Sequence, residues 1–105
     1  MKLNDYQKFA ARTMNPDLTD TEALINMSLG LAGETGEIIE HVKKVLFHGN
    51  VLDEEYLKKE IGDVLWYVAG IASVIGLDLA DIAQTNQDKL QHRYPDGFTV
   101  KKNPT

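Results

Sequence analysis

The chain has 105 residues, a net charge of −5 and no cysteine. One domain of that length is expected, while disulfides and thiolate–zinc sites are excluded. No lysine- or arginine-rich stripe exceeds a dipeptide, which argues against nucleic-acid binding.

The amino terminus, MKLNDYQKFA, lacks a signal-peptide core. The longest apolar run, Val64 to Leu77, falls short of the ~20 residues that cross a bilayer. A soluble cytoplasmic protein with no membrane partner is expected. Residues 3–14 suit a short amphipathic helix with Tyr6, Phe9, Ala10 and Thr13 on one face. Asn15-Pro16 stops it. A second helix starts near Thr19, where Thr19 and Glu22 have capping-box spacing, and runs to about Phe47, with Gly49 as the stop. Leu24, Met27, Leu31, Ile38 and Val45 form its apolar stripe, and Glu34 and His41 fill the two gaps. Gly30, Gly33 and Gly36 each cost up to ~1 kcal/mol against alanine in a helix interior. They permit close approach of a helix or ligand, or a kink.

After a loop at residues 48–52, Asp53 caps a third helix. Leu57, Ile61, Val64, Val68, Ile71 and Ile75 make one apolar stripe, and Leu65, Ala69 and Ala72 a second beside it. One neighbour could not cover both, so this helix needs partners on two sides, from its own chain or another subunit. Gly76 ends it. Asp78 caps a fourth helix whose buried side reads Leu79, Ile82, Ala83 and Leu90, and Pro95 closes it. No segment alternates with period two. The reading is an all-α, four-helix-bundle-like domain over residues 1–98 with a tail at 99–105.

Glu34 and Glu37 on the second helix, and Glu60 and Asp63 on the third, are each spaced i, i+3 and so share a face. Two acid pairs on two helices suit one or two hard cations, Mg²⁺ or Mn²⁺. The competing reading is a solvated face, and it holds for Glu40, which has Lys44 four residues on. It fails for Glu34, which interrupts an apolar stripe. A dinuclear iron bundle would need Glu-x-x-His pairs, but Ile38, Val45 and Lys89 stand three residues before His41, His48 and His92. Asn86, Lys89 and Arg93 share a face of the fourth helix that could hold phosphate, lysine as a point charge and arginine as a fork. The bland alternative is a solvated last turn that suits the helix dipole. Trp66 reads as core, whereas Tyr67, one turn past Asp63, could wall a base or sugar. His41 and His48 read as structural. With no serine elbow and no phosphate-binding glycine loop, any chemistry must come from metal and water.

The segments LGLAGETGEIIEHVKK, KEIGDVLWYVAGIASVIGLDL and NQDKLQHRYPDGF together resemble the MazG-like all-α nucleoside triphosphate pyrophosphohydrolases, from about Leu24 to Phe98. The resemblance implies Mg²⁺-dependent hydrolysis of a nucleoside triphosphate to monophosphate and pyrophosphate. By position it makes Glu34, Glu37, Glu60 and Asp63 metal ligands, and Asn86, Lys89 and Arg93 phosphate or substrate contacts. Read from their own placement, Glu37 and Glu60 are the candidate catalytic carboxylates, Glu37 to take a proton from metal-bound water, and Tyr67 is a candidate substrate contact. Family members are commonly dimers or dimers of dimers, so a homodimer or homotetramer is implied. Two positions depart from the common pattern: Gly33 precedes Glu34, and Lys59 precedes Glu60, where many members carry a second glutamate. The alternatives are a non-catalytic bundle that binds a nucleotide or partner, and a hydrolase of another phosphoanhydride.

Overall fold

The computed structural model describes residues 1–100; the end of the expected tail, 101–105, lies outside the described residues. The chain forms α1 (Leu3–Ala11), α2 (Asp20–His48), α3 (Glu54–Val74) and α4 (Leu79–Arg93). Among the described residues there is no strand, only an isolated bridge between Pro95 and Gly97. The expected all-α class is observed.

The helix boundaries follow from local hydrogen bonding. At the start of α2, Thr19 Oγ1 accepts from the Glu22 N–H at 3.1 Å and Glu22 Oε1 accepts from the Thr19 N–H at 3.0 Å. That closed capping box satisfies two N–H groups the helix itself leaves free. Gly49, at φ 72°, ends α2 in the left-handed conformation that glycine adopts without strain. Asp53 and Asp78 cap α3 and α4 by accepting from the N–H groups of Tyr56 and Asp81. The first helix ends earlier than its pattern implied, at Ala11, and continues as a turn to Met14.

α2 and α3 form the principal pair, a long helical hairpin. The α2 residues that face inward are the expected stripe: Met27 is buried, and Leu24, Leu31, Ile38 and Val45 are half-buried. Glu34 and His41 are half-buried in the same row. Two glycines leave room for large side chains of the facing helix. A Cβ on Gly30 would collide with the Tyr67 ring, and one on Gly70 would sit 2.6 Å from Met27 Sδ.

α1 lies across α3 and touches the start of α4. Ala10, Ala69, Ala72 and Leu79 form the small core there, with Tyr6, Met14, Trp66 and Val68 against it. Phe9, expected on the inner face, is 61% exposed, and Gln7 is buried in its place. The reason is hydrogen bonding. Gln7 Nε2 donates to Ser73 Oγ and the Leu77 carbonyl at 3.1 and 2.9 Å, and Oε1 accepts from the Leu79 N–H at 2.8 Å. The α3–α4 junction has polar backbone groups that only a polar side chain can satisfy.

α4 departs from α3 at 102° and packs against α1, not along the hairpin. Of its expected buried side only Leu79 is buried; Ile82 and Leu90 are exposed, as are Ile61 and Ile75 on α3. The radius of gyration is 16.9 Å, against about 13 Å for a compact domain of this size. The accessible surface is 8064 Å², against about 5,900 Å² for a globular monomer of this mass. No single helix among the described residues is long and apolar enough to cross a membrane.

Replacing Gln7 by alanine strands the Leu79 N–H and the Leu77 carbonyl. Denaturant unfolding of Gln7→Ala should show a loss of roughly 2 kcal/mol, the scale of an unsatisfied buried group.

Candidate metal centre

The α2–α3 hairpin brings Glu34 and Glu37, one turn apart on α2, against Glu60 on α3. Each offers an oxygen within 4.8 Å of the other two. Glu34 and Glu60 are half-buried, and Glu37 is exposed. The Oε2 atoms of Glu34 and Glu60 are shielded from solvent with no hydrogen-bond donor. A buried carboxylate oxygen without a donor is costly, and here two of them meet a third acid.

This crowding is visible in the protonation of Glu60. Its carboxyl is pushed up from 4.5 to about 8, first by a proton-sharing contact with Glu37, then by one with Glu34, and further by burial and by their negative charge. Two carboxylates can share a hydrogen bond only if one is protonated. The cluster must therefore hold either a proton or a cation. Three carboxylate oxygens facing one point are the donor set of a hard divalent cation, so the residues present fit one.

Asp63 is exposed and lies outside this set of three. It stands three residues past Glu60, about 4.5 Å further along the axis, and is turned toward α1. The Tyr6 phenol is raised, first by burial and then by the charge of Asp63. Tyr67 packs over Gly30 and meets Trp66 edge-on at 5.0 Å, so its ring serves the hairpin contact. Trp66 reads correctly as core, and its indole N–H donates to Thr13 Oγ1 at 2.7 Å.

The α4 residues are elsewhere. From Glu60 to the end of α3 is about 21 Å of helix, and α4 then turns away. Asn86 borders an open hollow of about 550 Å³ with Leu90, Tyr94 and Phe98, along α4 itself. Within one chain, Asn86, Lys89 and Arg93 are thus not packed against the carboxylates. Glu40 pairs with Lys43 at 3.9 Å, not with the expected Lys44. His41 is structural, as expected: its Nε2 accepts from the Asp53 N–H at 3.1 Å and its ring lies 5.0 Å from that of Tyr56.

Tyr56 was not legible as a site residue. The available signal was its place four residues before Glu60, on the same face of α3. Its phenol is raised by burial, then by the charges of Glu60, Glu37 and Glu34, which places it at the edge of the cluster.

Because the folded-state carboxyl of Glu60 is pushed above its ordinary range, Glu60 holds its proton in the folded chain and loses it in the unfolded one between about pH 4.5 and 8. Its contribution to stability falls as pH rises through that window. Melting temperature in chelator should decline across it, Glu60→Gln should flatten the decline, and Mg²⁺ should raise the melting temperature most at the alkaline end.

Residues 22–98 match the MazG nucleotide pyrophosphohydrolase domain. The Gene 37 protein of Mycobacterium phage L5 is 41% identical over 81 residues, which cover 73% of this chain and 71% of that protein. No solved structure matches. The match spans both carboxylate-bearing helices and α4, and with the all-helical fold and the clustered acids it places the chain in the MazG nucleotide pyrophosphohydrolase family.

Proposed function

We propose that this protein is a cytoplasmic, Mg²⁺-dependent pyrophosphohydrolase that converts a nucleoside triphosphate to its monophosphate and pyrophosphate. The observation that carries this reading is the set of three converging glutamates, two with buried oxygens that lack a donor, in a chain of this family. A divalent cation there supplies charge neutralisation for the polyphosphate and lowers the pKa of water. Mn²⁺ suits the same oxygen donors.

The residues divide the work by exposure. Glu34 and Glu60 are half-buried and would hold the cation. Glu37 is the exposed member, so it would join them as a ligand and take the proton of the attacking water. Water adds to the α-phosphorus, the bond to the α–β bridging oxygen breaks, and pyrophosphate leaves with that electron pair. Asp63, one turn beyond, is the further carboxylate available to a second ion. Tyr67 is half-buried and seated on Gly30, so its first role is packing.

Lys89 and Arg93 suit the departing phosphates, but their own chain carries them away from the carboxylates. We infer that a second copy supplies them, with Asn86. The excess of accessible surface is about 2,000 Å², larger than the about 800 Å² that each partner buries in a standard interface. It includes the apolar residues Ile61, Ile75, Ile82 and Leu90. A homodimer, or a homotetramer built from it, covers that surface and completes the site.

A panel of nucleoside triphosphates with Mg²⁺ should release pyrophosphate and no orthophosphate, and EDTA should abolish the release. Glu37→Gln should lower turnover by about a hundredfold or more, the scale of a lost general base. Orthophosphate as sole product would move attack to another phosphorus, and full activity of Glu37→Gln would remove the assigned base. Mixing inactive Glu60→Gln with inactive Lys89→Ala chains, unfolded and refolded together, should regain activity, because mixed dimers contain one native site. No regain would place both residues in one chain's site.

A further inference from the structure

α2 carries a second apolar row that its own hairpin does not use. Ile25, Leu29, Ala32, Gly36, Ile39 and Leu46 follow at intervals of three and four, with Lys43 in the one polar position of the series. At 3.6 residues per turn this row lies nearly opposite the Leu24–Val45 row that packs on α3. All six residues are exposed, Ile25 by 56%, Leu29 by 70%, Ile39 by 62% and Leu46 by 69%. A helix apolar on opposite sides is one built to be covered on both. An exposed apolar strip about 32 Å long marks a contact surface. The glycines point the same way. A Cβ at Gly33 or Gly36 would meet nothing within 4 Å, so neither serves the packing of its own chain, yet each weakens the helix relative to alanine.

We propose that this outer face of α2 pairs with the same face of a second copy, antiparallel, about a two-fold axis between Ala32 and Gly36. The alternation of three and four is the spacing of a two-helix seam. Its large residues stand at the two ends and its small ones in the middle. Reversing one copy therefore sets Leu29 against Ile39 and Ala32 against Gly36, so the face is complementary to itself, as a two-fold contact requires. The small centre lets the two backbones approach most closely at the axis. Charge fixes the direction. Asp20 and Glu22 stand at the start of α2, and Lys43, Lys44 and His48 at its end. Antiparallel copies bring Glu22 of one beside Lys43 of the other, whereas parallel copies would set acid on acid and lysine on lysine. This contact is separate from the one that would carry α4 to the carboxylates, because it lies across α2 from the row that holds Glu34. It does not rest on the pyrophosphohydrolase reading. The accessible surface has room for both: its excess of about 2,000 Å² exceeds twice the about 800 Å² that each partner buries in a standard interface.

Sedimentation equilibrium of the intact chain tests the pairing. Leu29→Glu combined with Ile39→Glu changes two side chains that are exposed in the single chain and lie outside the assigned site. The double variant should keep the helical circular dichroism of the wild type and have half its mass, whether four chains become two or two become one. Its release of pyrophosphate from triphosphates should match that of the wild type. The direction is read by cross-linking, because a chain without cysteine reports only the thiols introduced. Ile25→Cys and Lys43→Cys proteins, mixed and oxidised, should join between copies, and neither should join to itself. An unchanged mass in the double variant would overturn the proposal and leave the face to another partner or to solvent. Ile25→Cys cross-linked to itself would overturn the antiparallel arrangement. A halved mass with activity lost would make this face the one that completes the site, against its assignment as a separate contact. Masses and cross-links are read without activity, so they stand or fall apart from the pyrophosphohydrolase reading.

Discussion

Mutual repulsion among Glu34, Glu37 and Glu60 is the constraint on which the functional half of this molecule turns. Left to itself, an acid crowded by two others takes up a proton, and Glu60 does so well above the carboxylate range. The hairpin holds the three together because the apolar row of α2, Leu24 through Val45, buries on either side of the Glu34 position. Hydrophobic burial, which is non-directional, thus positions a directional set of oxygens. A cation among the three oxygens would offset the unfavourable electrostatics. Folding energy from the rest of the hairpin holds the acids together against their repulsion.

A second constraint is the size of the core. The buried apolar side chains are three alanines, Met27 and Leu79, and no large side chain among the described residues is wholly buried. Small residues let α1 and α3 approach closely, but they remove little apolar area from water. Meanwhile isoleucines and leucines of α3 and α4 remain outside. This inverts the usual distribution of large and small apolar residues, and the second copy proposed above would cover those exposed outside. The same step would return α4, with its asparagine and cations, to a carboxylate cluster that its own chain does not reach.

Polar contacts at the α1–α4 junction decide where α4 points. Gln7 spans Ser73, Leu77 and Leu79, and Asn4 Oδ1 accepts from the Ala80 N–H at 2.9 Å. Two side chains of α1 therefore join Asp78 in satisfying the first N–H groups of α4, which no intrahelical carbonyl can reach. The direction in which α4 carries Asn86, Lys89 and Arg93 is set by a helix that contributes nothing to the carboxylates.

Local signals are short-range, and they were legible in the sequence. The Thr19–Glu22 box, the Asp53 and Asp78 caps and the Gly49 stop depend only on residues within a turn of one another, and each is present. The stripe of α2, with Glu34 and His41 in its gaps, followed from helical period alone. What period cannot supply is which neighbour covers a face. Phe9 and Gln7 lie two positions apart on α1, and hydrophobicity favours Phe9, yet unsatisfied backbone groups from residues some seventy positions away select Gln7. Asp63 shares a helical face with Glu60, but one further turn brings it toward Tyr6 and away from α2. Ile82 and Leu90 read as buried because an apolar stripe states a preference for cover without naming its source. The identity and order of the helices were determined by the sequence read locally. The 102° departure of α4 and the convergence on three carboxylates were decided only by tertiary contacts between distant segments, whose geometry no local period encodes.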